Sequence, residues 1–406
     1  MKKLWLALLP LFCCQGATLY VDGSASAGGN GSKTKPFATV QAAADRVNPG
    51  DTVIIKPGVY FETVRLKRFG TKDKPVTFKA DKIRKNRVII TGADKSIRTG
   101  AKKWQLHDKK SGTYFVKPDN ERPVRVLYSG TDLFPYKTLA GLMTFEVRPG
   151  VPGPRHGFYF QKSSGKLFVR LRPDGKYGPA DPNKHIMAVS ATRDQHTDAD
   201  NPDSRSYNFG ILGKSGQSLN VIIDGITFET PARSAVYVSG NDVTVKNCLF
   251  LGCLAGGVSG RYIGEQYSER VAESSKNVLV EQCEWHNFPI FDDVAELIDL
   301  VKSGKVVIKN PKDQRFHYWV HKNPANGALI YYETGIIRNV GKNWTLRNCY
   351  IHDVFDGIAN LNWAENTIIE DNLFEKCIDN AVETENHAKN CHFRRNRCVD
   401  IFQSVS

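Results

Sequence analysis

The chain has 406 residues, of which 41% are hydrophobic, and a formal net charge of +14. This length supports one elongated domain with a large core and excludes a small disulfide-dependent domain. The positive charge favours a polyanionic partner, but aromatic residues do not alternate with the basic run Lys56 to Lys117, which argues against nucleic acid. An acidic polysaccharide and a solvated basic surface without a partner are the two interpretations left.

The N-terminus predicts a secretory signal peptide over residues 1–17. Two lysines precede an apolar stretch from Leu4 to Phe12, which is too short to span a membrane. Cys13 or Cys14 would fit a lipoprotein anchor as the alternative, but the large Phe12 before them disfavours it. We therefore expect a secreted or periplasmic/extracellular protein with no membrane span.

Residues 18–92 read as short strands around one helix. Ala38 to Val47 has apolar residues at helical spacing and ends in Asn-Pro-Gly, which is a stop signal. Short strands are predicted at Leu19–Asp22, Asp51–Lys56 and Val59–Val64. A helix followed by short strands is how a solenoid protects the open edge of its first coil.

Residues 93–217 interrupt this pattern and predict an antiparallel β-rich insertion. Phe158–Phe160 and Leu167–Leu171 alternate as strands, and the segment between them contains the turn Ser-Ser-Gly. Gly112–Val116 and Val124–Tyr128 are further predicted strands.

Residues 218–406 contain a repeat with a period of 23 to 24 residues at its C-terminal end. Each unit is a short β-run, a polar turn and a second β-run, too short for a βαβ crossover and without helical periodicity. Such units must lie on one another to bury their apolar sides, which predicts a parallel β-helix. The first parts of the repeats are the segments Asn220–Phe228, Val243–Phe250, Asn277–Trp285, Asn343–Ile351, Asn366–Phe374 and Asn390–Cys398.

One repeat position forms a predicted ladder of small, buried side chains. An inward Asn would satisfy backbone groups of the turn, and Cys is a small apolar substitute. Metal ligation is the alternative, but no CxxC pairing accompanies these residues. We therefore expect mostly reduced, buried thiols. The ladder consists of Cys248, Cys283, Cys349, Asn372 and Asn396.

The first block resembles a known group of proteins. Tyr20–Asp22, Lys35–Ala43, Pro49–Val53 and Pro57–Tyr60 are similar to the start of secreted right-handed parallel β-helix proteins of the pectate-lyase-like superfamily. The resemblance covers about residues 18–92 and 218–406. It implies an all-β, right-handed parallel β-helix with an N-terminal capping helix, in a superfamily that includes polysaccharide lyases and glycoside hydrolases.

A second insertion is predicted at about residues 289–328. Asp292 to Val301 reads as an amphipathic helix with acidic residues in its first turn. Long excursions from a solenoid often gather on the binding side. The repeat stops at Ser406 within a coil, as expected if more chain follows or if another element covers the last coil.

Acidic residues gather near the end of the repeat region. If Ile358 and its equivalents point inward, alternation turns Glu383 and Glu385 outward on one strand, about 7 Å apart at the backbone. Asp356 and Asp379 lie in the preceding turns. Carboxylates this close repel one another, so we expect at least one to have a raised pKa and to serve as an acid.

Glycoside hydrolysis needs a protonated carboxylic acid and a second carboxylate as nucleophile or water activator. We assign Asp356 as nucleophile or base and Glu383 as acid, with Glu385 and Asp379 orienting them; other assignments among the four stay open. A structural acidic ladder or a calcium site is the alternative. The run Ile378 to Asn386 also resembles an acidic segment of uncharacterised exported β-helix proteins, which implies a common site rather than a known reaction.

Substrate-binding residues are expected around these acids. Arg338 would bind a carboxylate or sulfate if Gly335-Ile336 stacks on Gly357-Ile358, although a surface salt bridge is the alternative. Aromatic faces pack on sugars. His317 and His321 have a zinc-like spacing, but the residues between them favour a strand or loop, so no metal site is predicted. The candidates are Arg338, Tyr332, Trp319, His321, Asn360 and His387.

Together these patterns predict a monomeric glycoside hydrolase acting on a polysaccharide without a cofactor. One alternative is a lyase similar to the alginate lyase and chondroitinase B family, which uses calcium and a Lys or Arg base. No Lys-plus-Arg motif lies on successive late coils, and Glu383 and Glu385 would repel a uronate unless calcium intervened. The other alternative is a non-catalytic glycan-binding surface protein.

Overall fold

A computed structural model describes residues 16–83, 87–119, 123, 125–172, 180–190, 207–231, 233–261, 274–287, 303, 334–377, 379–384, 387–401 and 403–406. These residues form a right-handed parallel β-helix, as predicted, in which the chain visits three sheets in the same order on successive coils after the first. The helix predicted at 292–301 lies outside the described residues.

The first coils alternate buried and partly exposed side chains. In the strand at residues 52–55, Val53 and Ile55 are fully buried, whereas Thr52 and Ile54 are not. The helix is capped by the Thr39 side chain, which accepts a hydrogen bond from the backbone N of Ala42. The elements are β1 (Thr18–Val21), α1 (Val40–Ala44), β2 (Thr52–Ile55), β3 (Gly58–Tyr60), β4 (Val64–Leu66), β5 (Val76–Ala80) and β6 (Val88–Thr91).

The insertion is an antiparallel β subdomain, as predicted. Its hairpin pairs Phe158 with Val169 and Phe160 with Leu167. Its elements are α2 (Lys95–Arg98), β7 (Gln105–Asp108), β8 (Thr113–Val116), β9 (Val126–Tyr128), β10 (Thr131–Asp132), β11 (Phe134–Pro135), α3 (Leu139–Thr144), β12 (Glu146–Arg148), β13 (Val151–Pro152), β14 (Gly157–Gln161), β15 (Lys166–Arg170), a 3-10 turn (Pro182–Lys184) and β16 (Met187–Val189).

The solenoid resumes earlier than the predicted residue 218. The strand at residues 207–211 pairs in parallel with β4, because Phe209 and Ile211 continue the buried column of Val64 and Leu66. The remaining elements are β17 (Tyr207–Ile211), β18 (Ser218–Asp224), β19 (Ile226–Glu229), β20 (Ser234–Val238), β21 (Asn241–Lys246), β22 (Leu249–Leu251), β23 (Gly256–Gly260), β24 (Val278–Glu281), β25 (Glu284–His286), β26 (Gly335–Arg338), β27 (Thr345–Arg347), β28 (Tyr350–Val354), β29 (Ile368–Glu370), β30 (Leu373–Cys377), β31 (Asn380–Val382), β32 (His392–Arg394), β33 (Arg397–Val399) and β34 (Gln403–Val405).

Three parallel sheets line the solenoid. The first sheet contains β1, β2, β5, β18, β21, β24, β27, β29 and β32, and the second contains β3, β6, β19, β22, β25, β28, β30 and β33. The third sheet contains β4, β17, β20, β23 and β26, and is continued by the bridge between Ile358 and Val382 and by the pair β31–β34. Among the described residues, no helix has the length and apolar character needed to cross a bilayer.

Stacked apolar columns fill the interior. Phe228, Phe250, Trp285 and Ile351 occupy one register position on successive strands of the second sheet, and all are fully buried. The Phe228 and Phe250 rings stack at a centroid distance of 6.0 Å. At about 25 cal/mol per Å² of buried apolar area, such columns are the main stabilising contribution.

The turn between the first and second sheets contains the predicted inner ladder. Asn372 Oδ1 accepts a hydrogen bond from Cys349 N at 2.9 Å, and Asn372 Nδ2 donates to Leu346 O at 3.1 Å. Asn396 Oδ1 accepts from Asn372 N at 3.0 Å, and Cys283 N lies 3.4 Å from Cys349 Sγ. None of the seven described cysteines forms a disulfide, and five of them are buried.

A second ladder of side-chain amides runs along the outside, where each repeat enters the first sheet. Asn277, Asn343, Asn366 and Asn390 have positive φ, a region that Asn tolerates better than most residues. Each side-chain Nδ2 donates to the equivalent residue of the preceding coil, at 2.8 to 3.2 Å, and the last acceptor is Asp242. The ladder explains why the repeats begin with Asn.

Both insertions leave the solenoid where the second sheet turns into the third. One separates β6 from β17 and the other separates β25 from β26. The subdomain packs Leu127 against Leu249 and Leu251 on the outward side of β22. Arg125 fixes this contact, since its fully buried guanidinium donates to Asn287 O at 2.9 Å and Cys253 O at 3.3 Å.

Candidate functional site

The outward side of the third sheet carries a column of register-matched residues, of which Arg65, Tyr237 and Arg338 are partly exposed, whereas Gly210 and Ser259 are buried. Arg65, Gly210, Tyr237, Ser259 and Arg338 stand in register on β4, β17, β20, β23 and β26. They point outward because the residue that precedes each of them on its strand is buried in the core. At about 4.8 Å per strand the column is about 19 Å long, which suits an extended ligand.

A groove of about 900 Å³ opens at the start of this column. Tyr207 lines it, and the Tyr207 ring stacks on Tyr237 with a centroid distance of 5.6 Å and an interplanar angle of 11°. The net positive charge of the chain is not concentrated here, because the charged residues that line the groove are of both signs: Arg65, Lys67, Lys95, Asp45, Glu62, Asp94 and Asp119.

Glu62 is the groove residue that most resembles a catalytic acid. Burial raises its pKa, although hydrogen bonds from Gln41 and Val40 oppose this shift. Its two carboxylate oxygens accept from the backbone N of Val40 at 2.8 Å and of Gln41 at 2.9 Å. Both oxygens therefore accept hydrogen bonds from backbone N–H groups of the first turn of α1, and Glu62 has a structural role.

The predicted acids lie towards the other end of the third sheet. Ile336 N donates to Gly357 O at 3.1 Å, so the coil that carries Arg338 contacts the next coil as expected, but the bridge between Gly335 and Ile358 is antiparallel rather than parallel. Glu383 directly follows β31 and donates from its backbone N to Ile358 O at 2.9 Å. Asp379 directly precedes β31, and the side chains of Glu383 and Asp379 are partly exposed.

Asp356, the predicted nucleophile, has a different environment. It is only 2% exposed, and its Oδ1 accepts a hydrogen bond from the backbone N of Asn380 at 3.0 Å. It lies two residues before the buried Ile358, close enough to Cys377 that its charge adds to the burial that raises the pKa of that thiol. Asp356 thus supports the turn of the next coil, and its catalytic role stays a prediction.

Two predicted substrate-binding residues make local contacts. Asn360 Oδ1 accepts a hydrogen bond from Asn362 N at 2.7 Å, which closes a small turn. The His387 ring stacks on Trp363, with a centroid distance of 3.8 Å and an interplanar angle of 8°. The stacking covers one face of each ring. The other predicted site residues, Glu385, Tyr332, Trp319 and His321, lie outside the described residues and stay predictions.

A second polar cluster, which sequence reasoning missed, lies on the outward side of the second sheet. Register pairs Glu284 with Tyr350 and Trp285 with Ile351, so His286 and His352 are neighbours on adjacent strands. Their ring centroids are 5.0 Å apart. The sequence did contain a signal for this contact, because His286 and His352 occupy the same position in the segments Glu284-Trp-His286 and Tyr350-Ile-His352. The insertion between the two repeats made this equivalence hard to recognise.

Neighbouring groups shift the pKa values in this cluster. Burial lowers the pKa of His286 to about 4, and the charge of His352 adds to the effect. Burial also disfavours charge on His352, but the carboxylates of Asp353 and Glu284 outweigh it and raise that pKa to about 9. His352 lowers the pKa of Glu284. Burial and a 2.5 Å hydrogen bond donated to Glu375 raise the pKa of Tyr350.

Comparison with known proteins agrees with the fold. Residues 209–405 match the family model described as "Right handed beta helix region". A 77-residue segment, 19% of this chain, is 39% identical to the uncharacterised protein YwoF of Bacillus subtilis (strain 168). That segment spans only 16% of the length of YwoF.

Two solved structures share most of the architecture. XylC, solved in complex with xylose, has a TM-score of 0.56 at 15% identity, over 96% of this chain and 70% of XylC. A glycoside hydrolase has a TM-score of 0.51 at 10% identity, over 96% of this chain and 85% of the other. At such identities the likeness shows the fold alone.

Proposed function

We propose, from the premise that residues 209–405 belong to the right-handed β-helix family, that this protein is a carbohydrate-active enzyme. Its activity is the hydrolysis of a polysaccharide bound along the outward side of the third sheet, after export by the signal peptide. The observation that carries the proposal is the outward column, which begins at Arg65 in the groove and passes Tyr237 to reach Arg338.

Two residues of the column suit different parts of a sugar chain. Tyr237 is partly exposed and offers a ring face on which the apolar face of a sugar packs. Arg338 is also partly exposed and presents a guanidinium, which binds carboxylate or sulfate groups in a bidentate manner. A neutral polysaccharide with some acidic units would contact both the Tyr237 ring and the Arg338 guanidinium. The groove is compatible with such a polymer, because it carries charges of both signs.

The catalytic pair is best assigned to Glu383 and Asp379. Both flank β31 and are partly exposed, whereas Asp356 is buried and engaged with the Asn380 amide. Glu383 serves as the acid that protonates the leaving oxygen, and Asp379 serves as the base or nucleophile. Asp356 keeps the turn before β31 in place.

Single-residue variants test this assignment. Glu383→Gln and Asp379→Asn should each abolish release of reducing ends from a panel of neutral and acidic polysaccharides, while glycan binding persists. Glu370→Gln is the matched control, because Glu370 lies on the first sheet beside Arg394 and Arg395. Turnover that survives in both test variants would refute the pair.

Asp356→Asn discriminates between the two assignments of the base. If Asp356 supports the turn, the variant loses stability but its folded fraction keeps turnover. If Asp356 is the nucleophile, the folded variant binds glycan without cleaving it. Circular dichroism establishes the folded fraction in each case.

A polysaccharide lyase is the second candidate, and Arg338 favours it because a guanidinium binds the carboxylate of a uronate. Lyase products contain a double bond that absorbs in the ultraviolet, whereas hydrolase products do not. New reducing ends without ultraviolet absorbance, in the presence and absence of calcium, support hydrolysis.

A further inference from the structure

The cluster on the second sheet has the donor set of a metal site, and it is separate from the column proposed to bind substrate. Trp285 and Ile351 are fully buried, so the residues that flank them on β25 and β28 point outward. This places Glu284, His286 and His352 on one surface formed by two adjacent strands.

The three side chains converge. One donor atom from each of Glu284, His286 and His352 lies within 4.8 Å of the other two. Ligand atoms about 2.0 to 2.2 Å from a tetrahedral ion are themselves about 3.4 Å apart. The distance from His352 Nε2 to Glu284 Oε1 is 3.5 Å, which is long for a hydrogen bond and suitable for two ligands of one ion.

The surroundings of His352 orient it as a ligand. His352 Nδ1 lies 2.7 Å from Asp353 Oδ2, so its N–H is directed at a carboxylate. The Tyr350 ring stacks on the imidazole at 4.1 Å and fixes its plane. His352 Nε2 is buried and makes no hydrogen bond among the described residues. A metal-binding histidine typically donates one ring N–H to a carboxylate, as Nδ1 does here, and uses its other ring nitrogen, here Nε2, to bind the metal.

We propose that Glu284, His286 and His352 bind a divalent transition-metal ion of the zinc class, with Asp353 positioning His352. Two imidazoles and one carboxylate suit zinc, whereas calcium takes six to eight oxygen ligands. Glu284 and Asp353 balance the charge of the ion. The Glu284 side chain is 44% exposed, so solvent reaches the position that three protein ligands leave open.

The alternative occupant of the cluster is a proton on His352 Nε2, which would join the three residues as an ionic network without metal. Titration of the chelator-treated full-length protein with Zn²⁺ separates the two. The metal site predicts one equivalent bound at micromolar concentration by calorimetry, and a Co²⁺ complex with visible absorption bands. Absence of binding at micromolar Zn²⁺ would overturn the proposal.

Variants identify the ligands. Glu284→Gln and His286→Gln should each abolish micromolar binding, and Asp353→Asn should weaken it about 10- to 100-fold through the lost orientation of His352. His392→Gln is the control, because His392 is exposed on β32 of the first sheet and should bind as wild type does. Glu284 is partly exposed, so its variant remains informative if His286→Gln does not fold.

Cysteine is the competing zinc ligand in this chain. A near-ultraviolet thiolate-to-cobalt band, or binding that is unchanged in both Glu284→Gln and His286→Gln, would assign the metal to thiols and overturn the proposal. Because the readout is binding and not turnover, its outcome is independent of the hydrolase proposal.

Discussion

Replacing Arg125 tests how the inserted subdomain is attached. Its fully buried guanidinium contacts Asp132 Oδ1 at 3.2 Å and donates to the carbonyls of Asn287 and Cys253 on two successive coils. Arg125→Met leaves Asp132 as a buried charge without its cation and removes the donor from both carbonyls. Breaking a buried pair in this way costs about 3–5 kcal/mol of unfolding free energy.

The loss should depend on pH. Burial raises the pKa of Asp132 to about 6, against the opposing effect of Arg125, so without Arg125 the carboxyl takes up a proton at higher pH still. Its pKa in the folded state then lies above its unfolded value, so the folded state binds more protons and gains stability as the pH falls. Between pH 8 and pH 6 the deficit of Arg125→Met should shrink by about 1 kcal/mol per pH unit.

Urea unfolding at pH 8 and pH 6 measures both effects, and hydrogen exchange over residues 125–172 reports local undocking. The double variant Arg125→Met/Asp132→Leu removes the buried charge, so it should be more stable than the single variant and independent of pH in this window. A single variant that loses less than about 1 kcal/mol, or a double variant with the same deficit and pH dependence, would refute this reasoning.

Three further predictions concern the ladders and one surface carboxylate. Asn372→Ala should lower the unfolding free energy by about 3 kcal/mol, because it leaves two buried backbone groups unpaired. Asn372→Cys should lower it by less, and equal losses of the two variants in urea unfolding would contradict the stabilising role of the inner ladder. Asn343→Ala should be about 1 kcal/mol less stable than Asn343→Gly, because φ is +59° there, and the same assay would show no difference if the ladder bonds alone matter. Hydrogen bonds from Ser24 and Lys56 lower the pKa of Asp22 to about 2, so the stability advantage of wild type over Asp22→Asn should persist at pH 6 and vanish as the pH falls through about 2; an advantage unchanged at pH 2 would argue against this pairing.

The fold was predictable because the repeat imposes the same demands at each coil. Asn372 and Cys349 share a register position and both face the interior of the turn, so a polar and an apolar residue in one column already indicated a ladder. The return of the chain to the third sheet at Tyr207 was harder to predict, because Tyr207–Ile211 follows a polar segment and no sequence repeat aligns it with β4.

The candidate site was less predictable for a physical reason. Strand alternation reports which side of a sheet a residue faces, but Asp356 lies at a corner, where its environment depends on the turn of the next coil. The cluster of Glu284, His286 and His352 depends on two strands separated by an insertion, so spacing along the chain does not reveal their contact.

The outer asparagine ladder also has a polarity. Every Nδ2 donates towards the preceding coil, so the amide dipoles from Asn390 to Asn277 add head to tail, and the positive end of the series meets the carboxylate of Asp242. Slippage of one strand by a single residue would misalign its amide with both neighbours and interrupt the series. The hydrogen bonds on the outer surface therefore favour the correct register of successive coils, in addition to the packing of the hydrophobic interior.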